Sequence, residues 1–199
     1  MKQQHRKRRA LWVSCAMIVG TVVLITGCSL TRVGYETATY QTTRSSDRFE
    51  IREYPALGLV STPMDAGQQE ADRGSFMRLF DYISGENEAT EKIAMTTPVF
   101  MDDETMSFVL PENVAQQGAP GGTSPSVSLG NFEPGRYAVY RIPGGRSDGN
   151  IEAAKEALTD WLESNGLQGE GDYLIAGYDP PFIPPFFQRN EVLIRLKSE

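Results

Sequence analysis

The stretch Asn150-Ile151-Glu152-Ala153-Ala154-Lys155-Glu156-Ala157-Leu158-Thr159-Asp160-Trp161-Leu162 sets Ile151, Ala154, Leu158, Trp161 and Leu162 at helical spacing. One apolar stripe with charge on the opposite face predicts an amphipathic helix over 151–164. Asn150 is the expected N-cap, and Asn165-Gly166 the stop. A strand, Arg136 to Ile142, precedes this helix; two more, Tyr173 to Tyr178 and Glu191 to Leu196, follow it. Their β-branched and aromatic content is that of half-buried or buried strands.

Working upstream, the same order recurs. Strands are expected at Tyr35 to Tyr40, Arg48 to Tyr54 and Ala56 to Ser61. A helix follows from Gln68 to Ser84, with Phe76, Leu79, Phe80 and Ile83 as its buried stripe and Gly85 as its stop. Strands at Ile93 to Met101 and Met106 to Leu110 complete the unit. A proline turn interrupts each half, at Thr97-Pro98 and at Asp179-Pro180-Pro181. Between the halves, Glu112 to Pro125 is rich in Gly, Pro, Gln and Ser and reads as a mobile loop. Most strand connections are too short for parallel crossovers. The expected class is α+β: duplicated β-α-β-β units forming a mostly antiparallel, distorted barrel with two flanking helices.

The N-terminus is of another kind. Lys2, Arg6, Lys7, Arg8 and Arg9 precede an apolar run from Leu11, which ends at Ile25-Thr26-Gly27-Cys28. A basic stretch, a short apolar core and small residues before a cut describe a secretory signal. Ending on Cys, it resembles a lipobox. Spanning a bilayer takes about 20 apolar residues; Leu11 to Gly27 is 17 and includes Ser14, Gly20, Thr21 and Thr26. The expected division is 1–27 as lipoprotein signal peptide, 28–34 as lipid-anchored tether and 35–199 as a single domain. Cys28 is the expected lipid attachment site, and the membrane a partner through it. Ser29 after the Cys resembles an outer-membrane sorting signal of Gram-negative lipoproteins. The expected location is the cell envelope, facing the periplasm.

Charge excludes some partners. Five of the 19 basic residues precede Cys28 and all 26 acidic ones follow it, leaving the body at −12. Such a body disfavours nucleic acid and flat contact with anionic lipid. The cysteines are Cys15 and Cys28, so the body after Cys28 forms no disulfide. The one histidine is His5. With no His base, no Cys nucleophile and no Gly-rich phosphate loop in the body, no catalytic constellation stands out. The expectation is a monomeric, non-enzymatic protein without a structural metal.

Several segments match a family pattern. Phe49-Glu50-Ile51-Arg52-Glu53-Tyr54-Pro55 comes first, then Phe80-Asp81-Tyr82-Ile83-Ser84-Gly85. Lys92-Ile93-Ala94-Met95-Thr96-Thr97-Pro98-Val99 follows, and Ala176-Gly177-Tyr178-Asp179-Pro180-Pro181 precedes Arg189-Asn190-Glu191-Val192. In this order they resemble the SOUL heme-binding family, from about Gly34 to Lys197. The resemblance implies a duplicated β-α-β-β barrel and a shallow apolar groove beside the first helix that takes heme or another tetrapyrrole. Some members are thought to ligate iron through a histidine; the body here has none.

A porphyrin needs apolar walls and one or two cations for its carboxylates. The first helix offers Arg73, Met77 and Arg78. Phe182-Ile183-Pro184-Pro185-Phe186-Phe187 is too rich in proline for a central strand; in a loop it either caps the barrel or forms an exposed binding surface. With Tyr178, residues Arg73, Met77, Arg78, Phe182, Phe186 and Phe187 make the candidate tetrapyrrole site. The alternative ligand for the same groove is another apolar molecule, a lipid or a peptide. Arg189 and Glu191 read as a structural ion pair, and Asp102-Asp103-Glu104 as a solvated hairpin tip.

Overall fold

The computed structural model describes residues 34–64, 69–180 and 182–197, with the side chains of all but 69–73. Residues 1–27, Cys28 and the Arg73 side chain, and with them the signal and lipid-attachment expectations, lie outside the described residues.

The chain runs β1 Glu36–Thr37, β2 Gln41–Ser46, β3 Phe49–Tyr54, β4 Leu57–Pro63, α1 Gln69–Ser84, β5 Thr96–Thr97, β6 Val99–Met101 and β7 Thr105–Val109. It continues α2 Glu112–Gln117, β8 Ser128–Phe132, β9 Gly135–Arg141, α3 Asp148–Ser164, β10 Gly169–Gly177 and β11 Asn190–Leu196. Nine strands form one sheet in the order β2-β3-β9-β11-β10-β6-β7-β4-β8, antiparallel throughout; β1 and β5 pair in parallel beside it. The sheet curls without closing, because β2 and β8 remain as edges.

The duplication is visible in the register. Leu59 faces Val109 as Val139 faces Leu193, and Val99 faces Phe108 as Ile175 faces Val192. Leu57 faces Phe132 as Tyr137 faces Arg52, so β3 borders the second unit and β8 the first. The units meet at β6 and β10, where Phe100 lies opposite Ala176.

Three apolar clusters hold the layers together. Tyr54, Phe100, Phe132, Tyr137, Val139 and Leu193 fill the concave side. On the convex side α3 presses Ala154, Leu158 and Leu162 onto Ile51, Ala138, Val192 and Ile194. The other helix, α1, presses Leu79, Tyr82 and Ile83 onto Val60, Met101, Met106 and Phe108. Strands buried on both faces read as unbroken apolar runs, as Val192-Leu193-Ile194 does.

Some boundaries differ from expectation. Asp148 begins α3, and the Ser147 side chain, not Asn150, is the cap; it accepts the Asn150 N–H. Tyr35 to Tyr40 yields only the short β1, and the strand falls one segment later, at Gln41–Ser46, whose six residues are all exposed. Ile93 to Met101 is broken, with Pro98 between β5 and β6. Within the expected mobile loop, Val114 and Ala115 donate to the Pro111 carbonyl and open α2, and Val114 and Ala119 pack towards the α1 cluster. Phe80, expected in the core, is exposed, because a stripe of Phe76, Leu79 and Ile83 already covers the sheet.

Candidate functional site

Exposed aromatic surface gathers on two elements. On α1, Met77 and Phe80 are 43% and 41% exposed. The Phe80 ring stacks at 6.1 Å on Phe76, which lies 5.1 Å from the buried Phe108. Between β10 and β11, Phe182 and Phe186 are 77% and 71% exposed, and the rings of Phe186 and Phe187 sit 4.4 Å apart. The loop is braced from beneath. Asp179 Oδ2 accepts the Arg189 N–H at 2.6 Å, and Gln188 Nε2 donates to the carbonyl of the buried Ile183 at 2.8 Å. Proline at 184 and 185 stiffens the turn. The phenylalanines are thus held outward rather than capping the barrel.

A chain of contacts connects the two elements. Met101 belongs to the cluster under α1, and Arg146 donates to its Sδ. The neighbouring Gly145 passes so close to Pro185 that an added Cβ would come within 2.5 Å of its Cβ. Arg146 thus lies between Met101, which it bonds, and Gly145, which meets the aromatic loop at Pro185. Only the fold brings it there; the Gly144-Gly145-Arg146 string itself carries no sign of it.

Other candidates are occupied by the fold. Arg78 clamps α1 to the end of β4: Nε donates to Thr62 Oγ1 at 3.0 Å and Nη2 to the Pro63 carbonyl at 2.6 Å. Tyr178 points into the concave side, where its hydroxyl donates to Glu191 Oε2 at 3.0 Å. Arg52 meets the same carboxylate with both terminal nitrogens, at 2.6 and 3.0 Å, and Arg189 reaches Oε1 at 2.8 Å. Arg52 and Glu191 are 2% and 1% exposed. Their network continues through Glu50, Tyr54 and Tyr40. Burial alone would push the Glu191 carboxyl up; the guanidiniums of Arg52 and Arg189 outweigh this and hold it below the usual range. Burial also pushes the Tyr54 hydroxyl up to about 12, against the opposing pull of Arg52. The Arg189–Glu191 pair expected from sequence is real, but its larger partner is Arg52, 139 residues away.

Asp102 forms a hairpin tip, its Oδ1 accepting the N–H groups of Glu104 and Thr105 at 2.8 and 2.6 Å. Among the described residues no group of three or more His, Cys, Asp or Glu side chains is placed to hold a metal ion. A cavity of about 510 Å³ opens where β1, β4, β8 and α2 meet. Sequence reasoning missed it, because two of its walls, α2 and β8, were not foreseen.

Two β-α-β-β units, swapped at their outer strands, thus build one curled, antiparallel sheet. The family model described as SOUL heme-binding protein matches residues 35–195, and the chain belongs to this family. It is 26% identical to heme-binding protein 1 of Xenopus tropicalis over 156 residues, covering 72% of this chain and 81% of the relative. It is 28% identical to heme-binding protein 1 of Bos taurus over 160 residues, 74% and 80% of the two chains. Among solved structures, the EcmrR C-terminal domain superposes with a TM-score of 0.57 at 11% identity, over 80% of this chain and 99% of that one. A hydrolase from Listeria innocua does so at 0.51 and 12%, over 78% and 94%. These two likenesses are of fold.

Proposed function

We propose that this protein binds heme or a related tetrapyrrole on the surface formed by α1 and the loop carrying Phe182, Phe186 and Phe187. The observation that carries this reading is the braced, outward display of aromatic rings in a family of heme-binding proteins. Exposed aromatic surface is costly to leave in water and marks a contact site. The residues suit a flat apolar macrocycle: Phe182, Phe186 and Phe187 on one side, Met77 and Phe80 on the other, with Arg146 beside them for a propionate. They suit the iron less, since the only histidine of the chain is His5. Affinity then rests on the apolar plane rather than on an axial bond.

The test is an absorbance titration of the full chain with hemin and with iron-free protoporphyrin. Both should bind within a few-fold of each other. Replacing Phe182, Phe186 and Phe187 together by Ala removes about 1 kcal/mol per ring, a loss on the order of a hundredfold. Met77→Ala should cost less, and Arg146→Gln should give a small loss that vanishes at high salt. Hemin binding far tighter than protoporphyrin would mean that an axial ligand dominates. Binding of neither would hand the surface to another apolar ligand, a lipid or a peptide.

We further propose that the protein is held at a membrane by lipid on Cys28, on the strength of the basic stretch, apolar run and Ile25-Thr26-Gly27-Cys28. Fatty-acid labelling should disappear in Cys28→Ala; label that persists would remove this assignment.

A further inference from the structure

The cavity of about 510 Å³ between β1, β4, β8 and α2 lies outside the surface assigned to the tetrapyrrole. Its size falls within the range of small-molecule sites, about 300 to 1,000 Å³. Its apolar lining comes from Leu57 and Leu59 on β4, Val109 on β7, Ala115 on α2 and Leu129 on β8, with Thr39, Thr96, Gln116 and Asn131 as neutral polar neighbours. Gly130 belongs to the lining, and an added Cβ there would meet nothing within 4 Å, so a side chain at this position has open space to enter. Glycine is not needed for backbone conformation at this position, which lies mid-strand opposite Leu59. Its effect is the space it leaves.

The charge of the lining has one sign. Glu36 and Glu112 line the cavity, and no Lys, Arg or His is among the described residues around it. The carboxylates are fixed by neutral donors: Glu36 Oε1 accepts the Glu112 N–H at 2.9 Å, and Glu112 Oε1 accepts Gln116 Nε2 at 2.9 Å. Among the described residues neither is paired with a base, and the two carboxylates are the charged groups of the described lining. An apolar chamber with a negative rim attracts a cation and repels an anion. A porphyrin dicarboxylate is therefore the wrong guest for it.

We infer that this cavity is a second ligand site, taking a small apolar molecule that carries a positive charge, such as an arylalkyl amine. The probes are phenylbutylamine, phenylbutanol and phenylbutyrate, which share one apolar body and differ in charge. Calorimetric titration of the full chain should rank them amine, alcohol, acid, with about tenfold between amine and acid, the scale of a partly screened ion pair. Glu36→Gln with Glu112→Gln should remove the amine's advantage over the alcohol and leave the alcohol unchanged. Gly130→Leu, which adds bulk to the lining, should weaken amine and alcohol alike by tenfold or more. If that variant melts early, Gly130→Ala meets only open space and should weaken both several-fold. Hemin at saturation should not displace the amine. Equal binding of amine and acid, or undiminished amine binding with the lining made bulkier in a folded variant, would overturn the site.

Discussion

The two ends of the concave face occupy equivalent places in the two units and are built in opposite ways. At one end Arg52 and Glu191 form a buried, fully bonded ion network with Tyr54, Tyr178 and Arg189. At the other the register puts Phe132 where Arg52 stands and Ser107 where Glu191 stands. There Ser107 meets only Ser61, hydroxyl to hydroxyl at 2.8 Å, beside a cavity of about 290 Å³ lined by Phe100, Phe132 and Tyr137. The same backbone thus tolerates a charged plug or an apolar hollow. The plugged end is specified by charge complementarity across the sheet, and the hollow end by aromatic stacking, with Phe100 and Phe132 at 4.7 Å. The outer strands repeat the contrast: Gly130 on β8 stands where Glu50 stands on β3. The hollow end keeps open volume beside its strands.

The contrast can be broken most sharply at Glu191. Glu191→Gln leaves the buried Arg52 and the half-buried Arg189 without their shared carboxylate and should cost about 3–5 kcal/mol in chemical denaturation. Replacing Arg52 and Glu191 together with Met should restore much of that loss, since well-packed apolar residues substitute for a buried pair at little cost. A double variant no better than the single one would mean that Arg189 and the tyrosines, not the pair, set the demand.

Acidity tests the same end more gently. The Glu191 carboxyl is held low in the folded chain, so its contribution is present above the unfolded carboxylate value of about 4.3 and is lost as pH falls through the lower folded value. Stability should decline below about pH 4 in the native chain and less steeply in Glu191→Gln. On the alkaline side, the raised Tyr54 hydroxyl contributes below about pH 10, a contribution that drains away as pH rises towards about 12. Melting curves of the two chains across pH 3 to 11 compare these slopes; parallel acid limbs would show that other carboxylates govern them.

The smallest effect belongs to the hollow end. Ser107→Ala loses one half-buried hydroxyl pair and should cost about 1 kcal/mol or less. A loss as large as that of Glu191→Gln would mean that the two ends carry equal weight.

Much of this molecule was legible as pattern. The stripe of α3, most of that of α1 and the order of the two units follow from periodicity together with β-branched and turn residues; Phe80 and the break at Pro98 do not. The α2 helix was hidden because its apolar residues, Val114 and Ala115, are few among polar ones and gain their partners from elements distant in sequence: Val114 from the cluster under α1 and Ala115 from Gly58 on β4. For β8 the sequence Ser128-Leu129-Gly130-Asn131-Phe132 has one buried side chain and no alternation to announce it. The aromatic loop was visible as an anomaly, two prolines among apolar residues. Its outward display depends on Asp179 and Gln188 bracing it from below, bonds that no linear spacing reveals. Trp161 sat correctly on its stripe yet is half-buried, stacked at 5.0 Å on Phe49 at the margin of the sheet. Arg52, the centre of the concave network, reads in sequence as an ordinary strand charge.

The unclosed sheet carries one more consequence. Two free margins of unpaired amides and carbonyls invite a neighbouring copy to extend the ladder, the route by which sheet proteins aggregate. On β2 every side chain is exposed and polar or charged, the register slips between Thr42 and Arg44, and Arg44 folds back over Trp161. That irregular, solvated margin makes a poor template for another strand, so copies crowded side by side are kept from joining along it.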